Sequence, residues 1–227
     1  MAGCGPSDAP IVYHLLISGF RQKVGQRHGM YILRERLVAD YHYCNGHSRV
    51  ELWPWDADWK AVAQNLWLLQ QDARQPLLVG LYAYSWGAGW GAVQLAKRMK
   101  QCGLKIRVAV FCDPVFRHPR LFLRWTSLLR RQYVILGWPI IRLPAGAFEE
   151  VYVFRQEISR PQGHYLLPTD DETIVHPPQL LPYDHAHIDE AWEFHSLVLS
   201  VANRLRKEAG CPTCEAFLQI HSRPADT

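Results

Sequence analysis

Several things are missing from this chain, and each absence removes a class of protein. No apolar run approaches the ~18–20 residues of a membrane-crossing helix, so no such span is expected. The N-terminal stretch MAGCGPSDAP has neither the basic region nor the apolar region of a secretory signal. Cys4 lacks the apolar stretch that precedes a lipidated cysteine, and the expected location is cytoplasmic. Charge of one sign is scarce: the formal net charge is only +4, which calls for no nucleic-acid partner. Repeats, low-complexity segments and linkers are absent, which predicts one domain over residues 1–227 with a core at about 11–207 and a tail at 208–227. The six cysteines, at 4, 44, 102, 112, 211 and 214, are scattered and read as free thiols rather than disulfides. Cys211-Pro-Thr-Cys214 is a single CxxC pair with only His221 after it, short of a zinc ligand set, so a surface tail is the plainer reading. No metal or cofactor is expected.

What is present is a globular α/β pattern. The 227 residues are 48% apolar, enough for a full core. Buried-type strands are predicted at Ile11–Ser18, Arg49–Trp55, Leu77–Tyr84, Lys105–Cys112 and Val151–Gln156. Helical periodicity covers Met30–Tyr43, Ala57–Ala73, Trp86–Gln101 and Ile188–Lys207. Asp56 or Asp58 is placed to cap the second helix, and Gly103 to close the third. Trp192 joins Leu197, Val198, Val201 and Leu205 in the apolar set of the last helix, and Trp53, Trp55 and Trp59 are expected to pack a strand–helix junction. Strands alternating with helices imply a mainly parallel central sheet of five to seven strands with helices on both faces. Ligands bind such sheets outside the carboxyl ends of the strands, where Gly19-Phe20, Ser85 and Asp113 fall.

The chain is organised around Leu77–Ala92, LLVGLYAYSWGAGWGA. An apolar strand meets Ser85 and then a glycine-rich helix start. Ala83-Tyr84-Ser85-Trp86-Gly87 has the form small-x-Ser-x-Gly, in which a sharp turn forces the serine out of the sheet and close backbone approach demands small neighbours. The five-residue pattern alone is weak, arising by chance in roughly one chain of this size in ten; the flanking strand and helix give it meaning. A serine hydroxyl needs a base to take its proton, and the base needs a partner to fix its tautomer. For the base the sequence offers His185 or its neighbour His187; His164, His176 and His195 read as loop or helix residues. For the acid it offers Asp113, directly after the fourth strand, with Glu157 as rival and Asp170 and Asp171 as more distant candidates.

The words LLISGF (15–20), AYSWGAG (83–89), VFCDPV (110–115) and DHAHIDEAWEFH (184–195) resemble the α/β-hydrolase superfamily, from about Ile11 to Leu205. The closest likeness is to lipase-like and esterase-like members whose acid follows the strand after the nucleophile elbow. The resemblance implies Ser85 as nucleophile, Asp113 as acid, His185 as base, and the backbone N–H groups of Phe20 and Trp86 as oxyanion donors. It implies a small-molecule ester as substrate, with no cofactor. Ala83 stands where glycine is usual, and Ser18 where many members have His. A thioesterase, or a binding protein that never completes the triad, remains the alternative. Two segments exceed the minimal alternation. Glu157–Asp184 is proline-rich and irregular. Phe116–Phe148 is apolar, carries six arginines and has no acid; it reads as an ordinary helical cover of the sheet edge or, on the sharper reading, as a lid over the site mouth. Contact with a membrane surface is allowed by that basic stretch but not required by it, and the sequence sets no oligomeric state.

Overall fold

The computed structural model describes residues 12–23, 25–41, 48–72, 76–116, 134–135 and 138–210. The strands are β1 (Val12–Ile17), β2 (Ser48–Trp53), β3 (Leu78–Tyr84), β4 (Ile106–Cys112), β5 (Val134–Ile135), β6 (Trp138–Arg142), β7 (Phe148–Arg155), β8 (Tyr165–Leu167), β9 (Ile174–Val175) and β10 (Gln179–Leu180). The helices are α1 (Gly29–Tyr41), α2 (Trp59–Asp72), α3 (Ala92–Gln101) and α4 (Trp192–Glu208). The main sheet runs β10-β7-β4-β3-β1-β2, with β9 also paired to β7, and every pairing in it is parallel. β5, β6 and β8 form a small separate sheet.

Alternation along the strands splits the core in two. Leu15, Ile17, Leu81 and Ala83 face α2 and α3. Leu16, Tyr82 and Tyr84 face α1 and α4. Both faces are covered, so the strands carry near-continuous apolar runs. α1 buries Met30, Leu33 and Leu37, and α2 buries Trp59, Val62, Ala63 and Leu66. Asp58 caps α2: its Oδ1 accepts from the Lys60 and Ala61 amides at 3.1 Å. Gly103 follows α3 at φ +73°, the left-handed position that closes helices.

Some expectations need correction. The fifth predicted strand begins three residues early, at Phe148, because its first turn of chain already pairs with β4, Ile106 opposite Phe148. The proline-rich stretch after it is not wholly irregular. It contributes β8, β9 and β10, the last an edge strand of two residues pairing with Phe154 and Arg155. The helix predicted from Trp86 opens as one π turn over Gly87–Gly91 before α3 proper. The last predicted helix is broken at Ala191, ψ 133°, into a 3₁₀ turn at Ile188–Glu190 and α4. Trp192 is 66% exposed and belongs to no apolar stripe; the break turns it outward beside Arg36. The segment read as a cover or lid falls largely on residues 117–133, and the CxxC pair on the final 17 residues, both outside the described residues. Among the described residues no helix is long and apolar enough to cross a membrane.

Candidate active site

β3 delivers Ser85 to the carboxyl edge of the sheet, and the turn there is tight. Ser85 sits at φ +53°, a left-handed conformation that costs a non-glycine residue roughly 1–2 kcal/mol. Its amide donates to Cys112 O at 3.0 Å, while its carbonyl accepts from Gly89 N at 2.9 Å and Val115 N at 3.0 Å. The helix that follows presses on the end of β1: a Cβ on Gly87 would stand 2.5 Å from Ser18 O. That is why a glycine is needed two residues after the serine.

Ser85 Oγ lies 2.9 Å from His185 Nε2. His185 Nδ1 lies 2.5 Å from Asp113 Oδ2. An ionised carboxylate only accepts, so Nδ1 carries the ring proton and Nε2 is left to accept from the serine hydroxyl. Asp113 is fully buried, also left-handed at φ +44°, and heavily solvated by protein. Besides His185, Oδ2 accepts from Gln156 Nε2 at 3.1 Å; Oδ1 accepts from Gly163 N at 2.7 Å and Gln156 N at 3.3 Å. Gly163 is another required glycine, because a Cβ there would collide with Asp113 Oδ1. The histidine turn is held from both sides. His185 N donates to Ser159 Oγ at 2.7 Å, and Tyr84 OH donates to the His185 carbonyl.

The rival residues lie elsewhere. Glu157 is exposed; the residue that reaches Asp113 is its neighbour Gln156. His187 is exposed and bonds Asp184 Oδ1 at 2.7 Å, which raises the pKa of the imidazole. Asp170 accepts from Glu172, Thr173 and Gly146 amides and shapes a turn. Asp171 is exposed, and His176 stacks on Tyr152 and bonds Glu150. His164 is buried in the loop that reaches back to Pro114 O. Phe20 stacks on Trp86 with ring centroids 4.5 Å apart, and Trp55 meets Trp86 edge-on at 4.7 Å. Trp53, Trp55 and Trp59 do pack against the core, while Trp55 additionally forms one wall of a cleft of about 430 Å³ with Phe20, Arg21 and Lys23.

No protein-family model matches this chain. No curated protein matches its sequence. Solved structures overlap it loosely. The RedJ thioesterase of the prodiginine pathway in Streptomyces coelicolor is 13% identical at a TM-score of 0.43, covering 89% of this chain and 91% of that one. YbtT, a type II thioesterase of the yersiniabactin pathway, is 12% identical at 0.43, covering 90% and 96%. A Xanthomonas campestris pv. campestris protein described as a hydrolase of the alpha/beta superfamily is 12% identical at 0.41, covering 86% and 98%. The strand order and the left-handed serine between β3 and α3 stand in the chain itself. The fold is an α/β one, a parallel sheet with helices packed on both faces.

A second buried carboxylate ties the histidine turn to the loop beside Ser85. Asp189 is 1% exposed; its Oδ2 accepts from Gln22 Nε2 at 2.7 Å and Met30 N at 3.2 Å. Gln22 Oε1 in turn accepts from Gly19 N at 2.9 Å. Sequence reading missed this link, since nothing marks Gln22 except its place in the loop after β1. Burial pushes Asp189 up to about 6. His195, whose Nε2–H donates to Asp189 O at 2.7 Å, is pushed down to about 4 by its own burial. The two act on stability with opposite signs. The Asp189 contribution is complete below its unfolded pKa and is lost as pH rises through 6. The His195 contribution is complete above its unfolded pKa and is lost as pH falls through 4. Each spans about two pH units, on the order of 2–3 kcal/mol, so they offset between pH 4 and 6.5. Asp189→Asn removes one of them. Its stability is expected to fall relative to wild type by that amount from pH 6.5 to pH 4, read from denaturant midpoints. Parallel curves for the two proteins would mean that Asp189 is ionised throughout.

Proposed function

We propose that this chain is a serine hydrolase that cleaves carboxylic esters through an acyl-enzyme. The observation that carries the reading is the continuous relay Ser85 Oγ–His185 Nε2–His185 Nδ1–Asp113 Oδ2, at 2.9 and 2.5 Å, on a left-handed strand-to-helix turn. His185 Nε2 takes the hydroxyl proton as Ser85 Oγ attacks the carbonyl carbon of a small-molecule ester. Backbone N–H groups of Phe20 and Trp86 receive the developing oxyanion. His185 then gives the proton to the departing alcohol. Water then adds to the acyl carbon as His185 takes its proton, and His185 returns that proton to Ser85 Oγ as the Oγ–acyl bond breaks and the acid leaves. Asp113 stays ionised and fixes the imidazole in the productive tautomer. The scheme uses no cofactor. Thioesters present the same carbonyl to the same groups, and the leaving group separates the two substrate classes in a direct rate comparison.

The opposing reading is a binding protein on the same fold. A fluorophosphonate probe distinguishes them, since it reacts only with an activated serine. Stoichiometric labelling of folded protein at Ser85, located by peptide mass, is expected. Folded protein that stays unlabelled would favour the binding protein.

A further inference from the structure

Arg155 ends β7 at the carboxyl edge of the sheet, and only 2% of it is exposed. Its Nε donates to Gly163 O at 2.9 Å, and its guanidinium carbon stands 3.8 Å from the centroid of the Tyr165 ring. Among the described residues no other hydrogen bond and no carboxylate within ion-pair distance reaches the guanidinium. Two terminal amino groups are left over from a side chain that cannot lose its charge. A buried cation of this kind is costly unless an anion meets it.

The described residues supply no such anion nearby. The carboxylate next in line, Asp113, already serves His185, Gln156 and Gly163. The segment that leaves the sheet right after Asp113 has no acid from Pro114 to Phe148. Yet Arg155 stands one residue from the relay: Gly163 gives its N–H to Asp113 and its C=O to Arg155. Its side chain continues the row of Val151 and Val153, on the sheet face that packs against α2 and α3.

We propose that Arg155 anchors a free carboxylate on the substrate, so that the preferred ester is one bearing a second, anionic group away from the scissile bond. The fork of two free amino groups matches a carboxylate bidentately. Charge balance favours a monoanion: one carboxylate neutralises one buried guanidinium, whereas a phosphate dianion leaves a surplus charge in the same place. The proposal rests on the ester-hydrolase reading for its substrate, and on Arg155 alone for its binding site.

Two measurements test it. In the first, kcat/KM is compared for mono-p-nitrophenyl glutarate against p-nitrophenyl butyrate, and for 4-carboxyphenyl butyrate against phenyl butyrate. Wild type is expected to prefer the anionic member of one pair by about 10- to 100-fold, the scale of a charge-assisted hydrogen bond. Arg155→Met should collapse that ratio whatever it does to absolute rates through Gly163, and Arg155→Lys should keep part of it. A wild type that prefers the neutral member of both pairs overturns the proposal without any variant having to fold. The second measurement does not depend on turnover. Monomethyl glutarate, a monoanion, should raise the melting temperature of the Ser85→Ala protein, and the added Arg155→Met substitution should remove the rise. A rise without ester hydrolysis in wild type keeps the anchor and discards the esterase. Hydrolysis of neutral esters with no rise and no anionic preference does the reverse. A larger rise with inorganic phosphate than with monomethyl glutarate overturns the carboxylate assignment.

Discussion

Ser85→Ala is expected to abolish hydrolysis of short-chain p-nitrophenyl esters while leaving the melting curve in place. Loss of the nucleophile in serine hydrolases costs on the order of 10⁶ in kcat, because the base and the oxyanion donors have nothing left to activate. The fold has little reason to change. The side chain makes one hydrogen bond among the described residues, to His185, while the turn is held by backbone bonds that alanine retains. Alanine also keeps the Cβ at φ +53°, so the turn is neither relieved nor worsened. Activity should be measured on protein with a constant specific activity across the last purification step. If the variant keeps most of that activity, the nucleophile lies elsewhere and the relay is structural.

Asp113→Asn is expected to lose on the order of 10⁴-fold in kcat, and Glu157→Gln to lose little. The direction of the first follows from the hydrogen bonds. Two backbone N–H groups, Gly163 and Gln156, point at Oδ1, so an asparagine must place its carbonyl oxygen there. Its NH₂ then falls at the Oδ2 position, facing His185 Nδ1. A donor at that point forces Nδ1 to accept, moves the ring proton to Nε2, and points an N–H at Ser85 instead of a lone pair. Gln156 cannot ease the conflict by rotating its amide. Its Oε1 accepts from Ser159 N at 2.8 Å, while its Nε2 donates to Ser159 O and Pro161 O. Glu157 faces solvent and takes part in none of this. Rates for both variants on one ester decide the matter. A large loss at Glu157 with a small one at Asp113 would move the acid to the end of β7.

Elements of this fold differ in how plainly the sequence marks them, for physical reasons. Strands buried on both faces announce themselves as apolar runs, and β1, β3 and β4 were readable to within a residue or two. A two-residue edge strand such as β10 has no periodicity to read, and its pairing is set entirely by β7 beside it. Ser85 was legible because its turn demands Gly87. Asp113 and His185 followed from chain order and resemblance, not from any local signal. The residues that hold them were silent. Glu157 drew attention by its charge, yet the neutral amide of Gln156 reaches the carboxylate, since a buried acid is best solvated by donors. Gly163, in a loop of prolines and polar residues, reads as one more turn residue until its backbone is seen lying against Asp113. Gln22 and Asp189 are 167 residues apart and meet only because the loop after β1 and the turn before α4 reach the same corner.

The left-handed backbone at both Ser85 and Asp113 bears on how such a protein can be altered. Each is a place where a glycine would sit at ease, so a search that rewards only resistance to heat pulls directly against the side chains proposed to do the chemistry. Heat resistance has to be sought elsewhere, and the least entangled ground is the solvent face of α2, where Trp67 and Leu68 stand 40% and 52% exposed. Durability and turnover are then matters of separate geography: the first can be raised on one flank of the sheet without touching the edge on which the second is proposed to depend.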